Sequence, residues 1–232
     1  MEDTLNLVRS FFPGDGGPIY QETPLHFSHW LVEPWNAISS LFILLPGIYF
    51  LFKLRGEFKK HLFLAFCLPL LFLGGLGSTF FHAFRISTVF LIMDVAPTAL
   101  LFLMISGYLW YRVNRNIAYT LLILFGLLAA AFVIHAKFPP GIGVNVSYAL
   151  RGTVFFLPMV IILVRTQFEN AAMILGAVAA FGFALLFRTL DKETVALLPM
   201  GSHFLWHVST GLGGLLVAEY VYRLEQRKLS LG

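Results

Sequence analysis

The sequence predicts an all-α integral membrane protein. The expected architecture is a seven-transmembrane helix bundle with its N-terminus outside or lumenal and its C-terminus cytoplasmic. Three observations predict it. First, 58% of the 232 residues are apolar or aromatic and only 12% are charged, against about 45–50% and about 25% in soluble domains. The mean hydropathy of +0.81 agrees. Second, seven runs are long and apolar enough to span a bilayer, which takes about 20 helical residues. Third, the connectors between them are short, and Lys and Arg are weighted to one side.

A water-soluble fold of this size cannot hide so much apolar surface. Composition therefore excludes a soluble enzyme, a disordered chain and a nucleic-acid-binding domain. The net charge of +4 comes from connector residues and gives no reason to expect nucleic acid as a partner. The single cysteine, Cys67, excludes an intrachain disulfide and reads as a small apolar side chain.

Taken in order, residues 1–30 form an extramembrane tail. It opens on Glu2 and Asp3 and lacks the basic-then-apolar pattern of a cleavable signal peptide. The spans run near 31–53, 61–84, 87–110, 117–136, 145–165, 171–188 and 199–222. Together they make one domain over 31–222, and 223–232 is a cytoplasmic tail. The runs are too long and too continuously apolar for barrel strands of 9–11 alternating residues. The connectors after spans 1, 3 and 5 and the C-terminal tail carry ten Lys and Arg, and the opposite side carries five, with Arg151 inside span 5 set aside. That bias sets the orientation.

Polar residues inside spans are costly and mark candidate sites. Ser78 and His82 lie four apart near the end of span 2, and Asp94 lies in span 3. His203 and His207, also four apart, open span 7. A spacing of four puts each pair on one helix face. At 1.5 Å of rise per residue, His82 lies about 3 Å, Asp94 about 10 Å, and His203 and His207 about 6 and 12 Å from the outer ends of their spans. All four fall in the outer half of the bilayer. Three imidazoles and a carboxylate in one layer predict a metal rather than separately hydrogen-bonded histidines. Three neutral imidazoles suit zinc with one position left open, and zinc lowers the pKa of its water to about 7. Pro97 removes an N–H from span 3 and predicts a kink beside Asp94.

The set Ser78-x-x-x-His82, Asp94 and His203-x-x-x-His207 resembles the CREST membrane hydrolase superfamily, which includes the alkaline ceramidases and the progestin and adiponectin receptors. The segment Glu33-Pro34-Trp35-Asn36-Ala37-Ile38-Ser39-Ser40 is similar to the Glu-x-x-Asn-x-x-Ser start of the first helix in the alkaline ceramidase branch. The resemblance covers residues from about 19 to 207. It implies a seven-helix bundle holding one zinc through His82, His203 and His207, with Asp94 and Ser78 beside it. It implies hydrolysis of a lipid amide, ceramide to sphingoid base and fatty acid. It also implies a calcium ion near the N-terminal tail, with Glu22 and Glu33 as carboxylates. There the pattern thins, because Ile19 and Pro24 stand where the family places an Asp and an Asn. Calcium takes six to eight oxygens.

On this reading Asp94 is the general base and Ser78 donates to the developing oxyanion. Phe81 and Trp206 line the acyl cavity. Arg151 meets a polar headgroup or snorkels to the interface. The expected partner is a membrane lipid substrate, with no obligate protein partner, in a bacterial inner membrane or an endomembrane. Two other classes compete: a zinc-containing receptor of the same superfamily, and a proton-coupled transporter with an Asp and His relay. The short stretch of about 29 residues before span 1 favours an enzyme over a receptor, and zinc content separates a hydrolase from a transporter. No lysine lies in 199–222 to hold retinal.

Overall fold

The computed structural model of the chain describes residues 15–27 and 29–230. Glu2, Asp3 and Arg9, used above for the tail and the charge bias, lie outside the described residues. The elements are α1 (Thr23–His26), α2 (Pro34–Ser40), a 3₁₀ turn (Leu41–Leu44) and α3 (Leu45–Lys53). There follow α4 (Leu62–Phe84), α5 (Thr88–Asn114), α6 (Ile117–Lys137), α7 (Pro140–Arg165) and α8 (Ala171–Thr189). A second 3₁₀ turn (Glu193–Ala196) leads to α9 (His203–Ser230). No strand occurs among the described residues.

Local chemistry sets the boundaries. Pro34 opens α2, where its missing N–H is no loss. The first span is not one α-helix, because Pro46 cannot donate to the carbonyl four residues back at Phe42. The chain tightens there into the 3₁₀ turn before α3 resumes. The Asn116 side chain caps α6 by accepting from the Ala118 and Tyr119 N–H groups. Helix α5 runs through Pro97 without interruption. The Thr98 hydroxyl bonds the carbonyls of Asp94 and Val95 at 2.9 Å each, and Pro69 and Pro158 likewise lie inside unbroken helices, as membrane helices tolerate proline.

Among the described residues, 6 helical stretches are long and apolar enough to cross a membrane. They are Pro34–Lys53, Leu62–Phe84, Thr88–Asn114, Ile117–Ile134, Val146–Arg165 and Ala171–Thr189. Large apolar side chains such as Phe52, Phe66 and Phe132 point outward, as they do against lipid. The run near 199–222 corresponds to α9, which starts later and runs further, over 28 residues. Gly201 delays its start, with a left-handed φ of 77°. His203, His207, Ser209 and Thr210 interrupt the first half of α9, and Glu219, Arg223, Glu225, Arg227 and Lys228 the second, so it is less continuously apolar than the other six.

The chain divides into two compact units. One is built from the chain up to Thr98 and from Leu175 onward, the other from Ala99–Ile174. In the first, α2 and the 3₁₀ turn pack against both α4 and α9. In the second, α6 packs against α7, and the Trp110 indole donates to the Val154 carbonyl at 2.9 Å.

Candidate metal centre

The first unit holds the three histidines. His82 lies in the last turn of α4, and His203 and His207 lie in the first two turns of α9. All three are buried, and one ligand nitrogen from each lies within 4.8 Å of the others. The ring centroids are 4.8 Å apart for His82–His207 and His203–His207, and 5.4 Å for His82–His203. The sequence spacing thus converges in space as expected.

Neighbouring polar groups orient the rings. The Glu33 carboxylate accepts from His82 Nδ1. Ser39 Oγ lies 2.9 Å from His207 Nδ1 and itself donates to the Asn36 carbonyl at 3.1 Å. With its own hydrogen spent, Ser39 accepts from His207. In both rings Nδ1 is engaged by a protein group, and Nε2 is left outside these bonds. Nδ1 of His203 is buried with no hydrogen-bond partner, a costly state for a polar atom unless a further group takes its lone pair. An all-nitrogen donor set suits a borderline ion such as zinc better than a hard oxygen-seeking cation.

The crossing of α4 and α5 brings Asp94 to the same layer. A Cβ on Gly77 would lie 2.3 Å from the Met93 carbonyl carbon and 2.5 Å from the Asp94 nitrogen, so only glycine permits this approach. The next residue, Ser78, hydrogen-bonds the Asp94 carboxylate. Its Oγ is also 3.0 Å from Ser40 Oγ. The Ser78 hydroxyl thus already orients Asp94, a role that spacing alone did not give.

Sequence reasoning missed two groups that complete the site. Tyr20 stacks on His203 with ring centroids 3.8 Å apart and lies 5.2 Å from the His82 ring. Burial and the nearby Glu33 charge hold its phenol well above the usual tyrosine range. Asp191 accepts from the backbone N–H of His203 at 2.9 Å and of Gln21 at 3.2 Å. It thereby caps α9 from outside that helix. A Cβ on Gly201 would lie 2.2 Å from Asp191 Oδ1, so this cap also requires glycine. Neither residue has a signature in sequence, because their partners lie far away along the chain.

The remaining expected site residues are placed as follows. Phe81 is buried, with the Arg85 guanidinium 4.5 Å above its ring. Trp206 stands nearly parallel to His203, at 6.5 Å and 9°, with the Arg188 guanidinium 5.4 Å from its ring. Arg151 belongs to the second unit, is exposed, and lies 5.6 Å from the Tyr148 ring.

Glu22 and Glu33, the carboxylates that the resemblance implies for calcium, both accept hydrogen bonds from the protein. Glu22 takes the Trp35 and Asn36 N–H groups at 2.6 and 2.9 Å and so caps α2. Burial nevertheless pushes its carboxyl up to about 7. Glu33 Oε1 accepts from Arg85 at 2.6 Å and Thr23 at 2.5 Å. Its Oε2 accepts from Asn36 at 3.2 Å and from His82. Protein donors saturate both oxygens of Glu33.

The chain matches no known protein-family model and no curated protein.

Proposed function

We propose that this protein is a zinc-dependent intramembrane amidohydrolase acting on a linear lipid amide of the ceramide class. Water cleaves the amide C–N bond to give a sphingoid base and a fatty acid. The observation that carries this reading is the buried trio His82, His203 and His207, two of them oriented through Nδ1, beside a carboxylate. A zinc ion held there supplies a Lewis acid for the amide carbonyl and makes water acidic near neutral pH. Asp94 takes the proton that water loses and returns it to the leaving amine nitrogen. Ser78 holds the Asp94 carboxylate until Asp94 has taken the proton, and its hydroxyl then turns to the charge that develops on the carbonyl oxygen. Phe81 and Trp206 contact the acyl chain.

In this reading α9 is the seventh span, the N-terminus is outside or lumenal, and the membrane is a bacterial inner membrane or an endomembrane. The resemblance of Ser78, His82, Asp94, His203 and His207 to the CREST pattern supports the reaction class.

The test uses the full chain purified in detergent without chelators. Elemental analysis should find about one zinc per chain. Fatty acid release from solubilised ceramide should fall about 10²–10⁴-fold in Asp94→Asn, with zinc content unchanged. A zinc-free protein, or Asp94→Asn turning over at the wild-type rate, refutes the assignment.

A further inference from the structure

Arg85 is among the largest fully buried side chains in the protein. It follows α4 directly, with a left-handed φ of 54°, an uncommon state for a residue other than glycine. That turn sends its side chain back under the N-terminal segment. Its Nε donates to Asp15 Oδ2 at 2.7 Å, and a terminal guanidinium nitrogen donates to Glu33 Oε1 at 2.6 Å. Asp15 and Glu33 are both buried. A planar fork with several donors suits two carboxylates better than a single ammonium does. The other oxygen of Glu33 holds His82. Beside this pair, the Val32 and Glu33 N–H groups donate to the carbonyls of Ala83 and His82 at 2.8 and 3.1 Å.

We infer that Arg85 is a positioning residue for the metal centre. Its guanidinium is a built-in cation that ties Asp15 to Glu33 and keeps Glu33 on His82. The inference rests on the metal reading of the three histidines. Two carboxylates buried side by side repel and need a positive charge between them. Arg85 meets that need with a covalently attached cation, at the place where the resemblance implies calcium. Glu33 then stays fixed as the acceptor for His82 Nδ1–H, and partners of this kind set the direction and basicity of a ligating imidazole.

The test compares wild type, Arg85→Ala, Arg85→Lys and Asp15→Asn as full chains in detergent. One arm measures zinc affinity by chelator competition. The other measures hydrogen exchange at the Val32 and Glu33 amides. Arg85→Ala should bind zinc about 10–100-fold more weakly and exchange faster at both amides. Added guanidinium ion should restore both readouts. Arg85→Lys should fall between wild type and Arg85→Ala. Asp15→Asn should keep near wild-type zinc affinity, since the Arg85–Glu33 pair survives, and it carries the test if Arg85→Ala does not fold. Millimolar calcium, added to wild type purified without it, should change neither readout.

Wild-type zinc affinity in a folded Arg85→Ala protein overturns the inference. So does a wild-type protein whose amide protection appears only with calcium. A loss of zinc affinity in Asp15→Asn as large as that in Arg85→Ala overturns it too, because the pair with Glu33 would then not suffice. Wild type that binds no zinc refutes the proposed function instead, and the exchange arm still tests whether Arg85 fixes Glu33. Wild type that binds zinc but hydrolyses no lipid amide leaves the positioning role standing.

Discussion

The hydroxyl of Ser39 shows how much of the candidate site depends on atoms that carry no charge. It accepts from His207 Nδ1 because its own hydrogen is given to the Asn36 carbonyl. Removing it leaves His207 Nδ1 only the longer contact to Ser40 Oγ, at 3.4 Å. Ser39→Ala should weaken zinc binding about 10–100-fold, the usual cost of losing such a partner. Chelator competition measures this, and an unchanged affinity would show that Ser39 does not orient the ring. The histidines themselves were legible in sequence from their spacing of four and their matched depth. Their Nδ1 partners were not. Glu33, Asn36 and Ser39 were legible only as a motif opening the first helix, because bonds between residues 49 and 168 positions apart leave no periodic trace.

At the scale of elements, the approach of α4 to α5 decides whether Ser78 meets Asp94. Gly77→Ala would put a methyl group 2.3 Å from the Met93 carbonyl carbon. Backbone, not a flexible side chain, must then give way. The variant should lose about 1–3 kcal/mol of stability, as overpacked cores do, and lose turnover as Ser78 and Asp94 separate. Thermal unfolding in detergent measures the first and fatty acid release the second. Gly126→Ala is the control, since a Cβ there meets nothing within 4 Å and the midpoint should hold or rise slightly. An equal response in both variants would mean that the crossing is not tight.

Helix interruptions show the same division. The predicted span 31–53 is helical over most of its length, yet it breaks at Leu41–Leu44 because Pro46 withholds an N–H. Pro97, beside which a kink is expected, lies inside a helix that continues on both sides of it. Pro46 thus coincides with a change of local helix type, whereas Pro69, Pro97 and Pro158 lie within continuous helices.

For the whole molecule, the proposed orientation puts the metal layer in the outer or lumenal half of the membrane, from ten basic residues against five. With Cys67 replaced, a Lys137→Cys variant should react with a membrane-impermeant thiol reagent only from the outer or lumenal side. Labelling from the cytoplasm alone would reverse both the topology and the location of the layer.

The sequence by itself determined the helical membrane character, the approximate position of every long helix and the identity of the three clustered histidines. Each follows from local quantities: the apolar length of a run, the rise per residue and the 3.6-residue period. Tertiary structure alone decided that Arg85 pairs with Asp15 and Glu33, that Asp191 caps α9, and that Tyr20 covers His203. It also decided that Glu33 accepts from Thr23, Asn36, His82 and Arg85. Buried charges and N–H groups must find partners wherever the fold brings them, and those partners are chosen by proximity in space, which sequence separation does not encode.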